Sequence, residues 1–253
     1  MIAPTTGTPP SPQVSLVLPA RNEADTVAEV IRRARRALSV AGLADHEIIV
    51  ADSASTDGTA VVAAAADPDV RIVRVEEPGK GRALTAGFRA ARGRVLAFID
   101  SDLDLAPEDI PAVVGPVLTG AAAAVARKTG PVQASRPFLR RVGSRVVNAV
   151  AGAVLRTGVR DHQTGLKAFE ARALREVLPR VQETGWLWDT EAVWRIVRGG
   201  GEVVEVPVAL RGARPGHLQG WRQEVEALGE VGALYVRLAR EHRATAVAAV
   251  ARR

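Results

Sequence analysis

The sequence predicts an α/β protein with a mostly parallel central sheet and helices on both faces. Two observations carry this. Short, continuous apolar runs alternate with longer segments of helical period through the first 120 residues, the pattern of strands joined by crossover helices. The residues able to do chemistry stand directly after those runs, where ligands of such sheets bind.

The elements follow in order. Met1–Gln13 is rich in Pro, Thr, Ser and Gly and reads as a disordered tail. Val14–Leu18 is a buried strand ending at Pro19. Glu23–Leu38 is a helix, with Val27, Ile31, Ala34 and Leu38 on one face and Arg32, Arg33, Arg35 and Arg36 outside. Strand His46–Ala51 leads to helix Asp57–Ala66, with Asp57 or Thr56 able to cap it. Strand Val70–Val75 leads to helix Gly81–Arg92, and strand Val95–Ile99 to helix Pro107–Leu118, which has proline in its first turn. The second half is less regular. We expect strands at Ala121–Ala126, Thr164–Phe169 and Glu202–Ala209, and helices at Arg136–Leu155, Trp186–Arg198 and Gln219–Arg240. With no repeat and no change of composition, the expectation is one domain over 14–240 and a basic tail over 241–253.

Composition narrows the class. The chain has 253 residues, 47% hydrophobic and 25% charged, enough for a full core. It has no cysteine, which excludes disulfides, thiolate metal sites and a cysteine nucleophile. The net charge of +6 suits an anionic partner. Equally, three lysines against thirty-one arginines is the skew of a GC-rich genome. Nucleic acid is a poor fit, because aromatic residues make up only 4% and offer few stacking platforms. The N-terminus does not read as an export signal. The apolar runs Ala149–Leu155 and Ala244–Ala251 are far short of the ~20 residues that span a bilayer. A soluble, cytoplasmic protein is expected, with peripheral contact at the inner membrane face left open.

The strongest chemical signal is Asp100-Ser101-Asp102-Leu103-Asp104, directly after an apolar strand. Carboxylates so crowded repel unless a cation neutralises them. Oxygen donors suit a hard ion such as Mg²⁺ or Mn²⁺, which also holds phosphates. Asp104 could instead cap the next helix. Pro19-Ala20-Arg21-Asn22-Glu23 and Asp52-Ser53 end the first two strands. A carboxylate at Asp52 can accept from the ring N–H of uracil or guanine. Lys80, between two glycines at a helix start, can approach a phosphate.

Read in order, LPARNE (18–23), ADSASTDGT (51–59), PGKGRALTAGF (78–88) and AFIDSDLDLAPEDI (97–110) resemble the family 2 glycosyltransferases. That resemblance implies the GT-A fold, a Rossmann-like three-layer sandwich. It implies nucleotide binding by Pro19, Ala20, Glu23 and Asp52, and metal binding by Asp100 and Asp102; Arg21, Ser53, Lys80, Ser101 and Asp102 join the candidate nucleotide-binding residues. RDHQTGLKAFEARAL (160–174), GWLWDTEAVWRI (185–196) and EVVEVPVALRG (202–212) are similar to the polyprenyl-phosphate glucosyl- and mannosyltransferases. There Asp104 would add a metal contact, and Arg211 and Arg214 would meet phosphates. Ser53 stands where the family usually has a second Asp, and the Gly-x-Ser-Lys near the acceptor phosphate is missing. DSDL (100–103) and VGPVLTG (114–120) also resemble the retaining glucosyl-phosphoglycerate synthases, in which His217 would join the metal.

The implied reaction moves a hexose from a UDP- or GDP-sugar, with inversion, to a polyprenyl phosphate. The alternatives are a small-molecule acceptor, such as a natural-product hydroxyl or a phosphorylated acid, and a non-catalytic nucleotide-sugar-binding module. A hydroxyl acceptor needs a base. Asp189 and Glu191, at a helix start, are the candidates, or else dipole partners of that helix. Trp186 and Trp188 suit sugar stacking or core packing. Asp161 and Gln163 are placed to shape the acceptor side. Arg127, Arg136, Arg140, Arg141 and Arg145 suit an acidic acceptor, an anionic membrane or plain solvation. The last helix leaves a homodimer open.

Overall fold

A computed structural model describes residues 11–129, 157–162, 164–209 and 229–241. Seven strands form one sheet: β1 (Val14–Ala20), β2 (His46–Ser53), β3 (Arg71–Val75), β4 (Val95–Ile99), β5 (Ala123–Thr129), β6 (Leu166–Glu170) and β7 (Val203–Ala209). Their order is β3-β2-β1-β4-β6-β5-β7. Only β6 runs against its neighbours. The helices are α1 (Val27–Val40), α2 (Thr59–Ala66), α3 (Lys80–Ala90), α4 (Ile110–Leu118), α5 (Ala171–Val177) and α6 (Trp188–Arg198). Residues 229–241 are also helical. The predicted helix over Arg136–Leu155 lies outside the described residues.

Alternation along the strands divides the core between two layers. Leu16, Leu18, Ala97 and Ile99 pack with Val27, Ile31, Val113 and Val117 of α1 and α4. Val17, Leu96 and Phe98 face the other way, onto Leu84, Phe88, Leu174 and Trp188 of α3, α5 and α6. This is the three-layer sandwich that the alternation predicted.

Two boundaries differ from expectation for one reason. α1 starts at Val27 rather than Glu23, because the loop after β2 captures the backbone N–H groups of residues 22–24. Asn22, Glu23 and Ala24 donate to Ser55 Oγ, Thr59 Oγ1 and Asp57 Oδ2 at 3.0, 2.9 and 3.0 Å. Asp57 also accepts from the Thr59 amide at 2.9 Å, so α2 begins two residues later than expected. Pro19 lies inside β1, whose ladder with β4 ends at the Val17–Phe98 pair. Beyond that pair the two strands part. The strand order reverses between β1 and β4, so a crevice opens there at their carboxyl ends.

The opposite edge is closed by Glu47. Its carboxylate accepts from Ser15 Oγ at 2.6 Å, the Arg92 amide at 2.7 Å and Arg71 Nη1 at 2.9 Å. Arg71 and Arg92 are 40% and 57% exposed, so without Glu47 they turn to water and the loss is mainly that of the Ser15 and Arg92 amide hydrogen bonds. Glu47→Ala is therefore expected to lose about 1–2 kcal/mol in urea unfolding, with ligand affinity at the far edge unchanged in the folded protein.

Candidate active site

A cavity of about 430 Å³ fills the crevice between β1 and β4. Its walls are Pro19, Ala20, Arg21 and Glu23 after β1, Ser53 at the end of β2, Gly79, Lys80 and Ala83 at the start of α3, and Asp100, Ser101 and Asp102 after β4. Nine of the residues singled out in the sequence thus share one space. The loops that carry them are bent. Asn22, Ala54 and Leu103, which follow β1, β2 and β4, have φ of 55°, 54° and 62°. Non-glycine residues adopt this left-handed region at a cost and concentrate at functional sites.

Each wall has a local cause. Ser101 donates to the Pro19 carbonyl at 3.0 Å and joins the parted strands. Ser53 accepts from the Gly79 amide at 2.8 Å, which sets the start of α3 beside the cavity. From there Lys80 Nζ reaches Asp100 Oδ1 at 2.6 Å and stands 5.2 Å from the centre of the Phe98 ring. Burial pushes the Lys80 ammonium down. Asp100, Asp189 and Asp102 outweigh that and hold it above the ordinary lysine range. Burial raises the Asp102 carboxyl, and repulsion from Asp100 and Asp104 raises it further. One lysine therefore leaves this acidic cluster short of positive charge.

That shortage, with all-oxygen donors facing a cavity, fits a hard divalent cation. Among the described residues there is no group of three or more acidic or histidine side chains able to hold a metal unaided. Asp100 and Asp102 could hold one only with oxygens from a ligand or water. Asp104 fits differently from the expectation. Its amide donates to Asp102 Oδ1 at 3.0 Å and tightens the turn, and it does not line the cavity. Asp52 is also absent from the walls. It is buried and accepts from the Ser55 amide at 3.3 Å.

The two candidate bases are corrected by their surroundings. Asp189 is 2% exposed and pairs with Lys167 Nζ at 2.5 Å. Glu191 is 0% exposed. Its Oε1 accepts from Arg195 and Arg237, and its Oε2 from Arg237 and from the amides of Gln182 and Glu183. Burial raises the Glu191 carboxyl, but these donors overcome it and hold it below the usual range. Neither carboxylate is free to take a proton from an acceptor.

The tryptophans are structural too. Trp188 stacks on Phe88 at 5.6 Å within the core. Trp186 packs on the helix over 229–241 and donates to Glu230 at 2.5 Å. Asp161 accepts from the Lys128 amide at 3.4 Å, and Arg127 lies 3.8 Å from Glu205. Gln163, Arg211, Arg214, His217, Arg136, Arg140, Arg141 and Arg145 lie outside the described residues.

Sequence reasoning missed three supports. Lys167 is fully buried and spends its three N–H donors on Asp189 and the carbonyls of His162 and Thr164, at 2.9 and 2.7 Å for the carbonyls. A lysine inside an otherwise apolar strand was the available signal. Gly165 accepts the Asp100 amide at 2.8 Å, and a methyl group on its Cα would overlap the Asp100 carboxylate. His162 is buried, with Nε2 2.8 Å from Thr157 Oγ1.

The family model for glycosyl transferase family 2 matches residues 15–178. The chain belongs to this family. Its sheet is the GT-A fold. It is 37% identical over 212 residues to glycosyltransferase AglD of Haloferax volcanii, covering 81% of this chain but 34% of AglD. It is 30% identical to the polyprenol monophosphomannose synthase of Mycolicibacterium smegmatis, covering 79% of this chain and 78% of that protein. Among solved structures it is similar to the glucosyl-3-phosphoglycerate synthase of Mycobacterium tuberculosis, crystallised with Mn²⁺, UDP and glucosyl-3-phosphoglycerate. There the TM-score is 0.68 at 27% identity, over 89% of this chain and 77% of that one.

Two outcomes follow for this member of the family. Gly165→Ala should displace Asp100 and weaken binding of Mn²⁺ with a nucleotide at least tenfold by calorimetry, while circular dichroism stays native. Burial pushes the His162 imidazole down to about 4. The unfolded chain then binds a proton between pH 6.5 and 4 that the folded chain refuses, so stability falls as pH falls through that window. The drop is on the order of 3 kcal/mol for a shift of this size. His162→Gln should flatten the slope of unfolding free energy between pH 6.5 and 5.

Proposed function

We propose that this chain is a metal-dependent, inverting glycosyltransferase that moves a hexose from a nucleotide sugar to a polyprenyl phosphate. The observation that carries the reading is the crevice between β1 and β4, where Lys80 and the Asp100–Asp102 pair face one cavity. Its volume of about 430 Å³ suits a nucleoside diphosphate. In this reading residues 19–23 and Ser53 border the nucleotide, and Asp52 supports the base side from behind the wall. Asp100 and Asp102 hold Mg²⁺ or Mn²⁺ against the diphosphate, and Asp104 braces Asp102. The ion supplies Lewis-acid neutralisation of the leaving diphosphate. Lys80 adds fixed positive charge beside it. Arg211, Arg214 and His217 are proposed for the phosphate and metal side from the sequence resemblance alone.

The locked states of Asp189 and Glu191 favour a phosphate acceptor. A phosphate oxygen is already anionic and attacks without a base, whereas inversion onto a hydroxyl needs one. The name of the Mycolicibacterium relative, a polyprenol monophosphomannose synthase, supports the same choice. Among the described residues no helix is long and apolar enough to cross a membrane. In this reading a lipid acceptor is met at a membrane face, and the arginine-rich stretch 136–145 has the charge for that. Self-association through the last helix belongs to the same proposal.

A second reading rests on the Mycobacterium tuberculosis structure. Its bound glucosyl-3-phosphoglycerate supports a phosphorylated acid as acceptor.

The test begins with binding of UDP-, GDP- and ADP-sugars in Mn²⁺ and in EDTA. One nucleotide should bind, only with metal, and Asp102→Ala should abolish that binding and cut turnover by about 10²–10³-fold or more. Transfer is then compared between a polyprenyl phosphate and 3-phosphoglycerate. Transfer to the lipid alone, with an inverted anomeric centre, sustains the first reading. Transfer to the acid alone sustains the second. A folded protein that binds no nucleotide sugar sinks both.

A further inference from the structure

Glu191 of α6 and Lys80 of α3 are far apart in sequence, yet an unbroken run of short contacts joins them. Glu191 Oε2 accepts the amides of Gln182 and Glu183 at 3.1 and 2.9 Å, which pins the segment before α6. The next residue, Thr184, lies directly on the start of α3. Its carbonyl accepts the Arg82 amide at 3.2 Å. A Cβ on Gly79 would come within 2.6 Å of that carbonyl oxygen, and a Cβ on Gly81 within 2.7 Å of its carbon. The glycines flanking Lys80 therefore make room for this backbone. The Lys80 backbone is held between Ser53 on one side and Thr184 on the other.

The outer end of this run is Arg237, on the helix over 229–241. Its guanidinium spans both carboxylates of the clamp, meeting Glu183 Oε1 at 2.8 Å and Glu191 at 3.1 and 3.0 Å. Arg195 meets Glu191 at 2.6 Å but is shared with Glu241 at 3.0 Å, so Arg237 is the cation that ties Glu183 to Glu191. The helix is also anchored by an apolar face of Val231, Leu234, Tyr235 and Leu238 against Leu187 and Trp194. What Arg237 adds is a rigid, forked tie between the loop carboxylate and the residue that holds the loop amides.

We propose that Glu191 and Arg237 are positioning residues for Lys80, holding the 182–184 segment against the Gly79–Gly81 turn so that the lysine points at the diphosphate. The inference rests on reading the cavity as a nucleoside-diphosphate site. It makes the last helix part of the donor site without touching the donor.

The test uses the full chain and Arg237→Ala, since Glu191→Ala strips a wholly buried group and risks unfolding. Calorimetry with UDP or GDP and Mn²⁺, whichever binds, should show affinity reduced about fivefold to tenfold, within the usual range for such coupling. In a Lys80→Ala background the same substitution should change affinity less than twofold, because residues acting through one group are not additive. A ligand-free readout stands beside this. The chain has three lysines, so ¹⁵N-lysine labelling gives three backbone amide signals. Arg237→Ala should move the Lys80 signal and leave Lys128 in place. Wild-type affinity with an unmoved Lys80 signal, or an equal loss in the Lys80→Ala background, overturns the proposal and leaves Arg237 a stabilising contact only. If the wild type binds no nucleotide, a moved Lys80 signal sustains the relay and removes the nucleotide reading instead.

Discussion

Carboxylates gathered in one loop at the end of a buried strand repel one another, and loss of water deepens the repulsion. Much of this site answers that single electrostatic problem. Asp100 is relieved by Lys80 at 2.6 Å. Asp102 has no equal partner, and its carboxyl stays raised by burial and by its neighbours. The fold holds the cluster in place all the same. Ser101 ties the loop to β1, the Gly165 carbonyl fixes the Asp100 amide, and the left-handed turn at Leu103 brings the Asp104 amide onto Asp102. Structure is spent on keeping negative charge together, which is the arrangement that binds a cation carrying its own anionic ligand.

A second lysine sets the layer beneath. Lys167 and Lys80 stand 5.6 and 5.2 Å from the centre of the same Phe98 ring. They differ in what they are free to do. Lys167 is buried with every donor engaged, so it works as a structural cation that binds the 162–164 turn to α6 through Asp189. Lys80 is partly exposed and paired with one carboxylate oxygen. An incoming diphosphate can recruit Lys80 at small cost, whereas Lys167 would have to abandon a buried ion pair.

Legibility in the sequence followed distance along the chain. Residues 19–23, Ser53, Lys80 and 100–102 were readable because strand ends bring their loops to one edge by topology, which apolar patterning reveals. The exceptions turn on side-chain direction and long-range partners. Asp52 ends β2 as expected, yet its carboxylate is drawn to the Ser55 amide behind the wall. Glu191 reads as a helix-start carboxylate, and only the fold brings it Arg237 from 46 residues away. The Gly-Lys-Gly turn reads as a place from which Lys80 can approach a phosphate, but not as the seat of backbone from 183–184 against both glycines. Pattern places a residue at an edge or a face. It does not say which neighbour from elsewhere in the chain will already be there.

The engagement of Asp189 and Glu191 bears on mechanism through what it removes. Glu191, saturated by arginines and amides, is held below the usual carboxylate range, and neither carboxylate can rotate toward an acceptor without stranding its donors in the interior. Both acidic residues of the Trp-Asp-Thr-Glu segment are thus spent on architecture, one on the 162–164 turn and one on the 182–184 segment. A reaction in this cleft is then driven from the leaving-group side, where Lys80 and the carboxylate pair gather charge around a diphosphate. The matching demand on the other substrate is that it arrive already nucleophilic. An anionic phosphate would meet that demand, which is why the proposed acceptor is one that brings its own charge.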